Sequence, residues 1–253
     1  MEEGKKKYIL QSVETAFDVL DLFISEEELS SNDVAKRLGI SNSTAFRVLA
    51  TLESKKVLQK DAHAKFRLAL KLYALGQLAY KRMDLTSLAR PQLVNLSQFS
   101  NETVHLAVWD GLGHTLFIDR VVGNTFLQMN STLGATQDLY VTATGKSILA
   151  HQTQDTLNHY MNGLEIISHT PNTVKSKGEL LSLLEKIRED GFSCDDEEAE
   201  IGLTCYAVPI LSATGTAIAA ISISGPTSRM RPRKDAYVVK LKESAKIIEG
   251  KIH

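Results

Sequence analysis

The stretch from residue 30 to residue 68 reads SSNDVAKRLGISNSTAFRVLATLESKKVLQKDAHAKFRL. Ser30 and Asp33 have the spacing of a capping box, which satisfies backbone N–H groups at the start of a helix. We expect this helix to end at Gly39, because glycine readily adopts the left-handed conformation that follows many helices. Ser41 is a good N-cap for a second helix. Two helices joined by so short a turn are typical of a helix-turn-helix unit.

The second predicted helix has two different faces. One face is apolar and must pack inward, since its residues recur at three- and four-residue spacing. The opposite face begins with short polar side chains and one arginine, which are the types that reach phosphates and base edges from a recognition helix. The predicted DNA contacts on this helix are Ser41, Asn42, Ser43, Thr44, Phe46 and Arg47.

A hairpin is predicted directly after this helix, because apolar and basic residues alternate on both sides of the polar break at residues 60–64. We expect Lys60, Lys65 and Arg67 of this wing to contact flanking phosphates. Residues 29–75 contain nine Lys or Arg and three acidic residues, so this region is about six units positive, whereas the whole chain has a net charge of −1. The positive charge is therefore local, which favours a nucleic-acid partner. The alternative is that the same helical pattern is ordinary packing, since motif matches are hypotheses.

Length and composition restrict the number of domains and the class of protein. A chain of 253 residues favours two domains, and 43% hydrophobic with 23% charged residues is typical of a globular protein. The chain has no apolar run near the roughly 18 residues that a membrane span needs and no secretory signal, so we expect a cytoplasmic protein without membrane contact. The two cysteines and seven histidines show no metal-binding spacing, and we expect no structural metal and no cofactor.

The rest of the chain predicts a second domain of a different kind. Connecting helices are predicted around residues 70–78 and 84–97, and from residue 102 the hydrophobic period changes to two. Short predicted strands, among them residues 126–129, mix with helices without a strict βαβ alternation, which favours an α+β fold with a largely antiparallel sheet. We therefore expect a DNA-binding domain in residues 1–75, and linker helices with a second domain in residues 76–253.

Three segments of the second domain are candidates for a ligand pocket. Residues 133–135 with 142–146 are rich in Gly, Ala and Thr, residues 195–200 are acidic, and residues 222–226 contain Ser222 and Ser224. Small residues let backbone amides approach a ligand, and hydroxyl groups can donate to a carboxylate. The acidic run is more often a solvated turn than a metal site, and the two serines could equally lie on a half-exposed surface. No Gly-x-Ser-x-Gly motif occurs, and Cys205 lies in an apolar segment, so we do not expect an enzyme.

Four ordered blocks of the sequence resemble the IclR family of bacterial transcription regulators. They are RLGISNSTAFRVLATLESKKVLQKD (37–61), LARPQLVNLSQFSNETVHLAV (88–108), VTATGKSILA (141–150), and IREDGFSCDDEEAEIGLTCYAVPI with AIAAISISGP (187–226). The resemblance implies a winged helix-turn-helix domain, a linker helix and an effector domain similar to GAF and PAS folds. It also implies homodimers, commonly paired into homotetramers, that bind a double-stranded DNA operator and respond to small carboxylates or aromatic metabolites.

The resemblance also implies effector contacts. In glyoxylate-binding members these come from a backbone Gly-Ala pair, an Asp, a Cys ten residues later and two Ser at alternate positions of a strand. The matching residues here are Gly134, Ala135, Asp195, Cys205, Ser222 and Ser224. The leading hypothesis is therefore a regulator, expected to repress a metabolic or catabolic operon under the control of a carboxylate effector. The alternative is a sensor or enzyme whose N-terminal module only mediates protein contacts.

Overall fold

The structure, a computed structural model, describes residues 10–81, 84–125 and 132–252. The chain divides into two units, residues 1–83 and residues 84–253. The strand predicted at residues 126–129 lies outside the described residues. Each unit has its own hydrophobic core.

The first unit consists of short helices followed by a hairpin and a further helix. Its elements are α1 (Gln11–Asp21), a 3₁₀ turn (Leu22–Ile24), α2 (Ser31–Leu38), α3 (Asn42–Ser54), β1 (Leu58–Lys60), β2 (Phe66–Leu68) and α4 (Leu70–Lys81). The predicted capping box is present: the Ser30 backbone N–H donates to Asp33 Oδ2 at 2.9 Å, and the Asp33 N–H donates to Ser30 Oγ at 3.3 Å. Gly39 ends α2 in the left-handed region with φ of +64°.

The hairpin is attached to the core of this unit. Its two strands are antiparallel, with Gln59 opposite Arg67. Leu29 and Phe66 exchange backbone hydrogen bonds of 3.0 and 2.8 Å, so the wing is joined to the segment before α2. Phe66 is buried against Val34 and Leu49 in one cluster. These contacts form the winged helix-turn-helix that the sequence predicts.

The second unit is a six-stranded sheet with helices on both faces. Its elements are α5 (Asp84–Ser100), β3 (Thr103–Trp109), β4 (His114–Val121), β5 (Thr136–Asp138), α6 (Ala143–Ala150), α7 (Gln154–Gly163), α8 (Lys177–Asp190), β6 (Ser193–Asp196), β7 (Leu203–Leu211), β8 (Ala217–Pro226), α9 (Thr227–Met230), a 3₁₀ turn (Arg231–Arg233) and α10 (Lys234–Ile252). The strand order is β5-β4-β3-β8-β7-β6, and every pair is antiparallel. The predicted α+β fold with an antiparallel sheet is confirmed.

The two faces of this sheet are covered by different helices. On one face, Leu106, Tyr206 and Ile221 pack against apolar side chains of α5 and α10. On the other face, Cys205 and Ala207 pack against Ala143 at the start of α6. Because side chains alternate along a strand, β7 and β8 each contribute to both layers. The buried polar side chains discussed below lie on the α6 face.

Helix α6 is buried over its whole length, which places its first turn deep in the unit. A Cβ atom at Gly145 would lie 2.2 Å from the Leu139 carbonyl oxygen and 2.6 Å from Thr115 Oγ1. Only glycine at this position therefore allows α6 to approach Leu139 and Thr115 this closely. Thr142 caps the helix by accepting a hydrogen bond from the Gly145 N–H at 3.0 Å. The Thr142 and Thr115 hydroxyls are in turn 2.9 Å apart, which ties the start of α6 to β4.

Candidate DNA interface and effector cavity

The start of α3 presents a cluster of exposed hydroxyl groups. Ser41 Oγ accepts a hydrogen bond from the Thr44 N–H at 3.1 Å and lies 2.9 and 2.8 Å from the hydroxyls of Ser43 and Thr44. Asn42 is exposed beside them. A helix N-terminus carries partial positive charge and unpaired N–H groups, so it favours phosphate oxygens. The four predicted polar contacts at this helix start thus share one accessible surface.

Arg47 lies one turn further along α3 and is also exposed. In the part of the chain that the structure describes, no acidic side chain forms a salt bridge with its guanidinium. Phe46 is 49% exposed, and the Lys60 ammonium of the wing lies 5.7 Å from its ring centre. The same ammonium is 5.4 Å from the Phe66 ring, so cation–π contacts hold Lys60 between the wing and α3. Neither Arg47 nor Lys60 therefore has an acidic partner among the residues that the structure describes.

The other two predicted wing contacts have acidic partners. The Lys65 ammonium pairs with Glu28, and Arg67 Nη2 lies 3.4 Å from both Glu28 and Asp61. Contact with Glu28 raises the pKa of Lys65. Hydrogen bonds from the backbone N–H groups of the turn, that of Lys65 first, lower the pKa of Asp61. Part of the positive charge that the sequence assigns to the wing is thus neutralised within the protein.

A small cavity lies in the second unit between the sheet and the start of α6. Its volume is about 20 Å³, room for about one water molecule. Four of the predicted effector contacts line it, and each is at most 7% exposed: Asp195, Cys205, Ser222 and Ser224. Strand register brings them together, because Asp195 is opposite Cys205 on β7, and Cys205 is opposite Ser224 on β8. The alternative of a half-exposed serine surface is wrong, since both serines are buried.

His105 of β3 also lines the cavity, and sequence reasoning missed it. It lies opposite Ser222, and its Nδ1 is 3.4 Å from Ser224 Oγ. Its ring packs against Phe117 with centres 5.0 Å apart. Burial, together with the nearby positive charge of Arg120, lowers the pKa of His105 to about 3, so the imidazole is neutral at physiological pH. The period-two pattern of β3 could have indicated this position, because side chains alternate along a strand. It places His105 on the face opposite to that of its apolar neighbours.

A buried ion pair lies near Asp195, outside the cavity lining. Lys146 of α6 is fully buried and pairs with Glu198, whose residue exposure is 9%. Asp195 Oδ1 accepts hydrogen bonds from the backbone N–H groups of Glu198 at 2.8 Å and Ala199 at 3.2 Å. Burial raises the pKa of Asp195 to about 6 and also raises the pKa of Glu198, while Lys146 opposes both shifts. The expectation of a solvated acidic turn is wrong for Asp195 and Glu198, because both are buried. Backbone N–H groups bind Asp195, and Lys146 pairs with Glu198.

Gly134 and Ala135 do not line this cavity. The Gly134 N–H donates to the Phe117 carbonyl at 3.0 Å, and the Ala135 N–H donates to the Thr132 carbonyl at 3.1 Å. Gly134 has a φ of +83° and is exposed. The backbone amides of this pair are therefore engaged within the protein, and the structure does not bring them together with the other four predicted contacts.

Cys205 is a buried thiol rather than a nucleophile. Burial raises its pKa well above the ordinary value, and the nearby carboxylate of Asp195 acts in the same direction. The thiolate is the reactive form of cysteine. The protonated Cys205 side chain therefore serves the cavity as a small, weakly polar wall.

Within residues 10–81, 84–125 and 132–252, no three His, Cys, Asp or Glu side chains are arranged to hold a metal ion. None of the helices described in these ranges combines the length and the apolar character that crossing a membrane requires.

Both units of this chain are similar to domains of known proteins. Residues 12–62 match the IclR helix-turn-helix domain, and residues 77–249 match the C-terminal domain of the bacterial transcriptional regulator IclR. The HTH-type transcriptional regulator KdgR of Escherichia coli K12 is 34% identical over 245 residues, which cover 96% of this chain and 93% of KdgR.

Solved structures show the same likeness. The crystal structure of Thermotoga maritima IclR is 34% identical with a TM-score of 0.73, and the match covers 95% of this chain and 98% of that chain. An IclR homologue from Microbacterium hydrocarbonoxydans, crystallised with 4-hydroxybenzoate, has a TM-score of 0.82 at 24% identity, covering 94% of this chain and 98% of that one. With the winged helix-turn-helix and the buried cavity described above, these matches show that the chain belongs to the IclR family of DNA-binding transcriptional regulators.

Proposed function

We propose that this protein represses a metabolic operon and releases its operator when a small carboxylate binds in the cavity beside α6. The side chains around the cavity must move apart to admit the ligand, because the space of about 20 Å³ holds only about one water molecule. Repression is the expected effect, because a regulator bound over a promoter excludes RNA polymerase. The single observation that carries the proposal is the convergence of Asp195, Ser222 and Ser224 on one buried space. A buried polar group is costly unless it has a partner, so polar side chains around a cavity favour a polar ligand.

The DNA-binding part of the proposal assigns roles to individual residues. Arg47 and Thr44 contact base edges or phosphates from the start of α3, and Lys60 contacts a flanking phosphate. The proposed active species is a homodimer, paired into a tetramer, whose recognition helices enter successive major grooves about 34 Å apart. Exposure of Arg47 and of the hydroxyl cluster at Ser41 supports this assignment.

The experiment that tests the function combines DNA binding with ligand addition. Footprinting on the DNA upstream of the protein's own gene locates an operator, and fluorescence anisotropy then measures Kd at several salt concentrations. A DNA-binding regulator loses affinity steeply as salt rises, because neutralised phosphates release counterions. Glyoxylate, pyruvate and 4-hydroxybenzoate are then titrated into the complex, and release of the DNA supports the proposed effector class. Absence of any salt-dependent binding would favour a sensor or enzyme whose first domain contacts only proteins.

Replacement of Ser224 by alanine is expected to weaken binding of the effector about 10- to 100-fold. A hydrogen bond to a charged group is worth about 1.5–3 kcal/mol, and the variant removes one hydroxyl from the cavity wall. Calorimetric titration with whichever carboxylate releases the operator measures the change. Ser244→Ala is the matched control, since Ser244 is also 2–3% exposed but lies on α10, outside the cavity lining. Equal effector affinity in the wild type and Ser224→Ala would remove Ser224 from the site.

Replacement of Glu28 by glutamine is expected to strengthen operator binding about two- to five-fold. The variant releases Lys65 from its acidic partner and leaves Arg67 with Asp61 alone, and exposed ion pairs of this kind are worth up to about 1 kcal/mol. Anisotropy measurements at low and high salt give the change in Kd and in the salt dependence. Glu26→Gln is the control, because Glu26 pairs with Arg37 of α2 instead of a wing residue. Unchanged affinity in Glu28→Gln would place Lys65 and Arg67 away from the DNA.

A further inference from the structure

The wall of the effector cavity contains no cation among its described residues. Its polar members are hydroxyl groups, an amide, a thiol, an imidazole and one carboxylate: Thr142, Thr144, Ser222, Ser224, Gln137, Cys205, His105 and Asp195. The imidazole of His105 is neutral, because burial disfavours its protonated form. A negatively charged ligand in this space would therefore meet an acidic group and no basic one.

The nearest basic groups are already engaged or lie outside the lining. Lys146 is fully buried behind Asp195 and is paired with Glu198. Arg120 lies opposite His105 on β4 but is not part of the cavity wall. Breaking the Lys146–Glu198 pair to serve a ligand would leave Glu198 buried and unpaired, which is costly.

Other features of the same wall nevertheless favour an anion. The cavity borders Thr142, Ala143 and Thr144, which form the start of α6. The N–H groups of a first helical turn have no partner within the helix, and the helix dipole there is positive. Two serine hydroxyls lie across the cavity and can donate as well. Asp195 is thus the one group in the wall that opposes an anion, and it opposes it only when it is ionised.

We propose that a carboxylate effector binds this cavity together with one proton, which the Asp195 carboxyl group holds. The inference rests on the proposed function, since it concerns the same cavity and the same effector class. The backbone N–H groups of Glu198 and Ala199 both donate to Asp195 Oδ1, so a proton on Oδ2 turns this side chain into a hydrogen-bond donor for the ligand. The proton removes the repulsion between the two carboxyl groups and adds a hydrogen bond.

Asp195, rather than a neighbouring titratable group, takes up the proton. The thiols of Cys194 and Cys205 stay protonated, because burial raises the pKa of Cys194 to about 12 and raises the pKa of Cys205 well above its ordinary value. His105 stays neutral, and Asp196, on the same strand, pairs with Arg231 at 3.1 Å. Glu198 is held by Lys146 and does not line the cavity. Burial has already raised the pKa of Asp195 to about 6, and a bound anion would raise that pKa further.

Calorimetric titration of the full-length protein tests the inference. Glyoxylate, pyruvate and 4-hydroxybenzoate are titrated at pH 7.5 in phosphate, Hepes and Tris, whose ionisation enthalpies differ. The slope of the observed enthalpy against the buffer ionisation enthalpy gives the number of protons exchanged. We expect an uptake close to one proton per carboxylate bound. We also expect Kd to rise by up to about tenfold per pH unit above roughly pH 6.5 and to level off below roughly pH 5.5.

Two variants distinguish the role of Asp195 in proton uptake from that of Asp196, its neighbour on the strand. Asp195→Asn keeps an oxygen for the backbone N–H groups but cannot titrate, so its Kd should not change with pH and its proton uptake should be zero. Asp196→Asn is the matched control on the same strand and should retain the uptake of the wild type. The wild-type buffer series decides the question even if Asp195→Asn does not fold.

The possible outcomes are distinct. Carboxylate binding with no proton uptake in the wild type would overturn this inference and leave the proposed function intact. Uptake that persists in Asp195→Asn would assign the proton to another group and would also overturn it. Absence of binding by any of the three carboxylates, at pH 5.5 as well as at pH 7.5, would overturn the proposed effector class together with this inference.

Discussion

Replacement of Lys146 by methionine is expected to lower the free energy of unfolding by about 3–5 kcal/mol. Removal of one partner of a buried ion pair leaves the other charge buried without compensation, which costs about this amount. Lys146 is fully buried, and Glu198 is its acidic partner. Oε2 of Glu198 has no hydrogen-bond partner among the described residues, so Lys146 provides the main compensation for this carboxylate. Urea denaturation followed by circular dichroism measures the loss.

Two further variants show whether the effect comes from the ion pair. Lys246→Met changes an exposed lysine of α10 and should alter the stability by less than about 0.5 kcal/mol. The double variant Lys146→Met with Glu198→Leu removes both charges and should recover much of the loss, because buried pairs are often replaceable by apolar residues. A loss below about 1 kcal/mol in Lys146→Met would contradict the buried position of this pair.

Replacement of Arg47 by alanine is expected to reduce operator affinity about 10- to 100-fold. A guanidinium that contacts a base edge contributes about 1–3 kcal/mol, and 1.4 kcal/mol corresponds to a factor of ten. Arg47 is exposed on α3 and has no acidic partner in the described parts of the chain, so its donors are available to DNA. Fluorescence anisotropy is measured with the footprinted operator and with a scrambled duplex. The comparison distinguishes a loss of sequence specificity from a loss of nonspecific electrostatic attraction to DNA.

Arg37→Ala is the matched control for this measurement. It also removes one arginine from the helix-turn-helix, but Arg37 lies on α2 and is bound to Glu26 at 2.5 Å. We expect it to change operator affinity by less than about threefold, in line with the small contribution of exposed ion pairs. Equal losses in the two variants would mean that α3 is not the recognition helix and that only total charge matters.

Local sequence was sufficient to predict the helix-turn-helix. Ser30, Asp33, Gly39 and Ser41 act through hydrogen bonds and backbone angles within a few residues, so their spacing alone predicts where α2 and α3 begin and end. The antiparallel character of the second domain was also predictable, since a period of two reveals half-buried strands. The family resemblance named six effector contacts, of which Asp195, Cys205, Ser222 and Ser224 line one cavity and Gly134 and Ala135 do not.

Other features depend on residues that are far apart in the chain. His105 reaches the cavity because β3 pairs with β8, which is more than a hundred residues later. Glu198 and Asp195 were expected in a solvated turn, but Lys146, fifty-two residues before Glu198, enters their surroundings only when α6 packs on the sheet. Glu28 and Lys65 are similarly distant, and the wing must fold back before they can pair.

The sequence alone determined the two domain types, the helix-turn-helix and the family, because these depend on short-range periodicity, capping and ordered motifs. The tertiary structure decided which polar groups share a buried space and which charges are already paired. Burial and pairing arise when strands and helices from distant parts of the chain exclude water together. Among the described residues, folding pairs Lys65 and Arg67 with Glu28, leaves Arg47 and Lys60 without an acidic partner, and places Asp195 in a cavity wall that contains no cation.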